Sequence, residues 1–253
     1  IDILISTGGY MSLPLCLASK ILNIKLFLFE PNMVLGRSNK FFIRSCEKIF
    51  CYSSKIRNFP NKYKNKISVI PALLRKNFYD VKKTDSIDMN INLLIIGGSQ
   101  GAKIFDTLIK FSIIELSKKY NLRIYQQTNS VNFEELTKFY KNKNIDCELF
   151  DFNEDISNLM SKSNMCITRA GASTLAELVF LNLPCVTIPL PTSKDNHQFE
   201  NAFFYNEIGC NWILNQNEIN DEAVTNKLFN IIDNKDEFLV KKINMKNFSY
   251  QNT

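Results

Sequence analysis

The 253-residue chain is short of several things that would commit it to a class. It has one histidine, and its seven cysteines (16, 46, 51, 147, 166, 185 and 210) form no C-x-x-C pair. Neither a metal site nor a disulfide framework is expected from that set, and a reducing compartment fits it. No run approaches the roughly 18 apolar residues of a membrane span. The longest candidate, 24 to 29, is strand-sized and interrupted by Lys25. No glycine loop carries the Lys-Ser/Thr of a P-loop, none has G-x-G-x-x-G spacing, and no Asp-x-Asp pair stands at a strand end. These gaps weigh against an NTPase, a dinucleotide oxidoreductase and a metal-held diphosphate. The chain opens at Ile1 rather than Met and stops at Thr253 without a terminating signal, so both ends read as cut. No targeting segment is legible.

What is present suits a globular chain with a sizeable core. At 45% hydrophobic, the chain can bury one large or two medium cores. Its net charge of +6 is uneven: residues 37 to 83 carry thirteen Lys/Arg against two acids, a net of +11, which leaves −5 elsewhere. A basic first third suits an anionic partner such as a diphosphate, a phospholipid surface or nucleic acid; a solvated Lys- and Asn-rich face fits the same numbers.

Short apolar strands alternate with helical patterns throughout. Strands are expected at 2 to 6 (a buried one), 25 to 29, 48 to 52 and 67 to 70, with helices at 14 to 22 and 38 to 45. A polar stretch from 75 to 92 reads as a connection. A second series follows, with strands at 93 to 96, 122 to 127, 146 to 150, 165 to 168, 185 to 188 and 212 to 214. Helices fill the gaps, the last at 221 to 233. The pattern predicts an α/β protein of two doubly wound, Rossmann-like domains facing a cleft. The expected domains are 1–80 and 92–253, joined by a linker at 81–91.

Three small-residue loops each follow a strand: Thr7-Gly8-Gly9, Gly97-Gly98-Ser99-Gln100-Gly101, and Arg169-Ala170-Gly171-Ala172. One such loop is weak evidence. Three at the carboxyl ends of parallel strands point to a phosphate-bearing ligand in the crevice. The third opens a helix whose free backbone N–H groups suit phosphate, and Glu177 lies two turns in, where a carboxylate can hold the two hydroxyls of a ribose. Read alone, this stretch also fits a plain strand-to-helix turn with Glu177 solvated. His197 and Gln198 open a later helix; a lone histidine is more often a capping or surface residue than a catalyst, and Gln198 fits an exposed helix position as well as a sugar contact.

In order along the chain stand Gly8-Gly9-Tyr10, Glu30-Pro31-Asn32 with Leu35-Gly36-Arg37-Ser38-Asn39, Gly97-Gly98-Ser99-Gln100-Gly101-Ala102, Arg169-Ala170-Gly171-Ala172-Ser173-Thr174 with Glu177, and Asn196-His197-Gln198 with Asn201-Ala202. That series resembles the MurG-type N-acetylglucosaminyltransferases of bacterial peptidoglycan synthesis, over essentially the whole chain. The resemblance implies a GT-B-type fold and an inverting transfer of N-acetylglucosamine from UDP-N-acetylglucosamine to the C4 hydroxyl of the muramoyl sugar of lipid I, giving lipid II. It implies no cofactor and no metal. The partners are the UDP-sugar, the polyprenyl-diphosphate-linked muramoyl-pentapeptide and an anionic membrane surface, with no nucleic acid. The place is peripheral, on the cytoplasmic face of the bacterial plasma membrane.

Carried over by position, Ala172, Ser173, Thr174, Leu175, Ala176 and Glu177 would wrap the diphosphate and ribose, with Glu177 on the ribose hydroxyls. Ser99 would meet the phosphate end, and Asn153 or its neighbour Phe152 would face the uracil through backbone groups. Gln198 would bind the transferred sugar, and Asn32 and Arg75 would stand on the first-domain wall. Asn32 also fits a helix cap and Arg75 the basic linker. Phe29-Glu30-Pro31-Asn32 departs from the family's His-Glu-Gln-Asn at two positions. The family's first glycine-rich loop, with the histidine usually proposed as base, is expected upstream of Ile1. No catalytic residue is therefore assigned, and this stretch alone is expected to be inactive. Two other readings are open: a nucleotide-sugar epimerase of the same fold, which needs more acid/base groups than one histidine supplies, and a non-catalytic binder of nucleotide-sugars or nucleic acid.

Overall fold

A computed structural model describes residues 1–81, 90–98 and 104–251. The expected linker at 81–91 lies largely outside the described residues, as does Ser99.

The first sheet has four parallel strands in the order β1-β2-β3-β4: β1 (Ile3–Ser6), β2 (Lys25–Glu30), β3 (Lys48–Cys51) and β4 (Ile67–Val69). Helix α1 (Ser12–Ile21) connects the first two strands and α2 (Arg37–Phe42) the next two. Strand β2 alternates, burying Leu26, Leu28 and Glu30.

One expectation is corrected here. The apolar run at 2 to 6 reads as a buried strand, yet Ile3 is 53% and Ile5 62% exposed. Among the described residues β1 pairs with β2 alone, so its other edge is uncovered in this chain. Leu15, Leu17 and Ile21 of α1 are exposed as well.

The second sheet has six parallel strands in the order β10-β9-β8-β5-β6-β7. The chain enters at β5 (Asn90–Ile96) and steps outward through α3 (Lys110–Ser117), β6 (Asn121–Gln127), α4 (Phe133–Lys141) and β7 (Asp146–Phe150). Helix α5 (Ile156–Lys162) then returns it to the other side of β5, where β8 (Met165–Thr168) pairs. Helix α6 (Ala172–Phe180), β9 (Cys185–Thr187), α7 (His197–Glu207) and β10 (Asn211–Ile213) complete that half, and α8 (Asp221–Asp233) follows. Strand β8 is buried along its whole length, as a central parallel strand with both faces covered should be.

The order reverses between β5 and β8. In open α/β sheets the crevice outside the strand ends at such a switch point is where ligands sit. The loops beginning at Gly97 and Arg169 leave from those two strands.

A last helix, α9 (Lys235–Gln251), has no counterpart in the sequence reading. It presents few apolar residues in a clean stripe, yet Phe238 and Met245 are buried and it packs on α6 and α8. Among the described residues no helix is long and apolar enough to cross a membrane.

The two sheets share one apolar cluster that runs from Leu28 and Phe42 through Phe78 to Leu175 and Ala202. Polar contacts cross the same seam. Arg57 pairs with Glu200 at 2.9 Å, and Arg37 with Asp195 at 2.8 Å.

Candidate functional site

Gly171 ends the loop after β8 in an extended conformation and caps α6 without a side-chain hydrogen bond. Leu175 N–H, at 3.0 Å from the Gly171 carbonyl, is the first intrahelical donor. The N–H groups of Ala172, Ser173 and Thr174 thus have no intrahelical partner and point out of the helix start, where the positive end of the helix dipole adds to them. Ser173 is exposed and Ala172 and Thr174 half-buried, so this end is open to a ligand. Leu175 and Ala176 are core residues, and their side chains face the apolar cluster.

Glu177 is only 5% exposed. Its Oε1 accepts from Arg75 Nε at 3.0 Å and stands 2.9 Å from Nη2. Burial pushes the Glu177 carboxyl above its ordinary value, and the Arg75 charge opposes that shift. Arg75 is held in turn, with its guanidinium 5.1 Å from the ring of the fully buried Phe78. Tyr79 meets Phe180 of α6 edge-on at 5.3 Å. The segment at 75 to 79 is thereby fastened along α6, and the two predicted residues from opposite walls are in contact.

Arg169 was not anticipated as a site residue. It is 9% exposed, forms no ion pair among the described residues, and donates through Nη1 to the Ile188 carbonyl and to Gln216 Oε1, both at 2.7 Å. Its guanidinium lies 5.4 Å from the Phe105 ring, and burial lowers its pKa. A buried cation beside a helix N-terminus gives this crevice a positive potential without a metal. The signal in sequence was an arginine inside a small-residue loop at a strand end.

The loop after β5 starts with Gly97, whose N–H donates to Gln127 Oε1 at 3.2 Å. Gly98 has φ +78°, a left-handed conformation that favours glycine, and no described residue stands where its side chain would be. Beyond β7, Phe152 is 77% exposed. Asn153 Oδ1 accepts from Asp155 N–H at 2.8 Å, so its side chain is engaged in a local turn.

Asn32 follows β2 on the first-sheet wall. Its N–H and Nδ2 donate to Glu30 Oε1 at 3.2 and 3.0 Å, while Oε2 accepts from Gly36 N–H at 2.8 Å and Asn39 Nδ2 at 3.0 Å. The buried Glu30 carboxylate thus shapes the whole turn with four donors and, among the described residues, no cation. Asn39 Oδ1 is buried without a partner among the described residues, and it faces Gly8, whose φ is +79°. A cavity of about 740 Å³ opens here, lined by Gly8, Tyr10, Glu30, Asn32, Arg37 and His197 among others.

Gln198 stands apart from the lining of that cavity. Its Oε1 accepts from Leu190 N–H at 2.9 Å, bracing the Pro-rich turn before α7. His197, its neighbour, lines the cavity with Nδ1 2.7 Å from the Lys194 carbonyl.

Asn201 is the joint between the walls. Its Oδ1 accepts from Met33 N–H at 2.8 Å, and its Nδ2 donates to Asn32 Oδ1 at 3.1 Å and to the Ala170 carbonyl at 3.0 Å. One buried amide therefore connects the turn after β2, helix α7 and the loop before α6. Among the described residues no cluster of three or more His, Cys, Asp or Glu could hold a metal ion.

Residues 92–252 match the family model of the glycosyltransferase family 28 C-terminal domain, and residues 1–51 match that of its N-terminal domain. A UDP-N-acetylglucosamine--N-acetylmuramyl-(pentapeptide) pyrophosphoryl-undecaprenol N-acetylglucosamine transferase of Pelagibacter ubique is 69% identical over all 253 residues, which span 71% of that relative. The protein of the same name from Rickettsia bellii is 35% identical over 90% of this chain and 66% of its own length. The crystal structure of Acinetobacter baumannii MurG superposes with a TM-score of 0.80 at 27% identity, over 98% of this chain and 70% of that one. A UDP-GlcNAc 2-epimerase from Neisseria meningitidis, bound to UDP-GlcNAc, aligns with a TM-score of 0.65 at 14% identity over 95% of this chain and 70% of its own, a likeness of fold alone. The chain belongs to glycosyltransferase family 28, among its MurG-type N-acetylglucosamine transferases.

Proposed function

We propose that the protein transfers N-acetylglucosamine from UDP-N-acetylglucosamine to the C4 hydroxyl of the muramoyl sugar of lipid I, with inversion, to form lipid II. The observation that carries the reading is identity of 69% to a transferase so named, over every residue of the chain. The geometry supports it. The open N–H groups of α6 and the buried Arg169 suit a diphosphate, and Glu177 suits the ribose hydroxyls.

In the reaction the acceptor oxygen forms a bond to the anomeric carbon as the bond from that carbon to the phosphate oxygen breaks. UDP leaves with the electron pair, and the hydroxyl proton passes to a base that no described residue is assigned to supply. Negative charge grows on the departing diphosphate. Fixed N–H dipoles and a buried guanidinium stabilise it there without reorganising.

In the same proposal, residues 1–80 take the acceptor and 92–253 the donor, joined through 81–91. Asn32 and Arg75 form the acceptor-side wall, Ser99 meets the phosphates, Asn153 or Phe152 meets the uracil through backbone groups, and Gln198 meets the transferred sugar. The basic stretch at 37 to 83 faces the anionic lipid of the cytoplasmic leaflet, and the protein is peripheral there.

The test is transfer of labelled N-acetylglucosamine from the UDP-sugar to a lipid I analogue by the full-length protein that contains these residues, with the anomeric configuration of the product read by NMR. A β-linked disaccharide is expected. UDP-sugar binding without a disaccharide would overturn transfer and leave binding, and conversion of the free UDP-sugar to its C2 epimer would favour the epimerase reading.

A further inference from the structure

We propose that Gln127 is a positioning residue that sets the spacing between the diphosphate loop and the base loop of the donor site. The inference rests on the donor reading above.

Gln127 ends β6, the strand between β5 and β7. Its side chain reaches both neighbours. Oε1 accepts from Gly97 N–H, the first residue past β5, at 3.2 Å, and Nε2 donates to the carbonyl of Asp151, the first residue past β7, at 2.9 Å. A backbone N–H only donates and a carbonyl only accepts, so a flipped amide would lose both bonds and one orientation is dictated. The two loops thus tied are the one that opens the glycine turn and the one that leads to Phe152 and Asn153.

The base of this strut is buried and hydrogen-bonded on both sides. Gln126 is fully buried, donates to Asp106 Oδ1 at 2.8 Å and accepts from Tyr140 Oη at 2.7 Å. On the other side, Thr128 Oγ1 donates to Asp106 Oδ2 at 2.7 Å, and Asn132 Nδ2 joins the same oxygen at 2.9 Å. Both sequence neighbours of Gln127 are therefore locked to one carboxylate. Gln127 is left as the member of the network whose amide faces out along the carboxyl edge.

A nucleoside diphosphate must touch both loops at once. Its affinity exceeds that of either half because binding one half presents the other at high effective concentration, and that gain depends on a fixed span. Loss of the strut should therefore weaken ligands that bridge the loops and spare those that touch one.

The experiment titrates UDP, uridine and inorganic pyrophosphate into the unchanged protein and into Gln127→Ala, Gln127→Met and Gln127→Asn, by calorimetry for UDP and by NMR for the weaker pair. The expected result is a loss of about tenfold for UDP in all three variants. Uridine and pyrophosphate should change less than about twofold. Gln127→Asn keeps the amide but is one methylene too short to reach both loops, so it should fail like the others; Gln127→Met preserves length and packing if the alanine variant folds poorly. Unchanged UDP affinity in a folded variant, or an equal loss for all three ligands, would overturn the inference while leaving the donor reading intact. Failure of the unchanged protein to bind UDP would overturn the donor reading itself and the inference with it.

Discussion

Glu177 on α6 and Arg75 on the segment that leaves the first sheet meet at 2.9 Å, with the carboxylate buried and the guanidinium about half exposed. In the proposed donor site the pair stands where the ribose would bind. A diol that binds Glu177 must share that carboxylate with Arg75, so ligand affinity and the contact between the two walls are linked.

Glu177→Ala should weaken UDP binding by about 1–3 kcal/mol, the scale for leaving polar groups unpaired in a site. Calorimetry on both proteins measures it, and equal affinities would remove the ribose role.

The same pair makes stability depend on pH. Burial raises the Glu177 carboxyl in the fold, so its contribution is fully present below the ordinary carboxylate pKa and is lost as pH rises through the folded value. Above that, Glu177 is a buried anion whose compensation is Arg75. Arg75→Ala should therefore hardly alter the melting temperature at pH 4 and lower it at pH 7.5. The cost should be near 1 kcal/mol, because half of the arginine is in water. That is about 2–4 °C for a chain of this size. An equal drop at both pH values would contradict the account.

Asn201→Ala should destabilise the protein by about 1–3 kcal/mol, since Met33 N–H and the Ala170 carbonyl lose their partner together in a buried joint. Asn201→Asp should be no better at the Ala170 carbonyl, because a carboxylate cannot donate to it. Thermal melts that overlay the unchanged protein would show that the joint is dispensable.

Gly98→Ala should cost about 1 kcal/mol, the penalty of a side chain in left-handed backbone, because no described residue occupies the space its Cβ would take. Gly8→Ala should cost more. There the new methyl meets the Asn39 amide at 3.3 Å, and Asn39 in turn holds Glu30. Urea denaturation ranks the two, and the reverse order would show that the Asn39 contact yields freely.

UDP affinity should be the same with and without EDTA. In the proposed donor site the charge on the diphosphate is met by the α6 terminus and Arg169, and the described residues offer no carboxylate or histidine cluster to bring in a cation. A loss of binding on chelation would contradict this.

Much of this was legible in sequence where one residue's neighbours along the chain decide its environment. The βα rhythm, the two sheets, the strand-end loops and the helix start at Ala172 all come from local periodicity and small residues. What escaped depends on pairs far apart in the chain. Asn201 reaches Met33 across 168 positions, and Arg75 reaches Glu177 across 102. Strand β1 has the composition of a central strand, and among the described residues β2 is its one partner. Helix α9 was missed because its burial comes from two residues, Phe238 and Met245, set in a polar run. The hydrogen bond from Leu190 N–H to Gln198 Oε1 is a contact that no local pattern encodes.

The six buried cysteines divide evenly between the two walls. Cys16, Cys46 and Cys51 are buried in the first, Cys166, Cys185 and Cys210 in the second, and Cys147 on β7 is partly exposed. Burial also pushes the thiols of Cys51 and Cys210 up to about 12, so they are inert in the native state. The molecule thus carries its own unfolding clock: under a pulse of alkylating reagent, each wall releases three protected thiols when it opens, and peptide mapping tells which wall opened first.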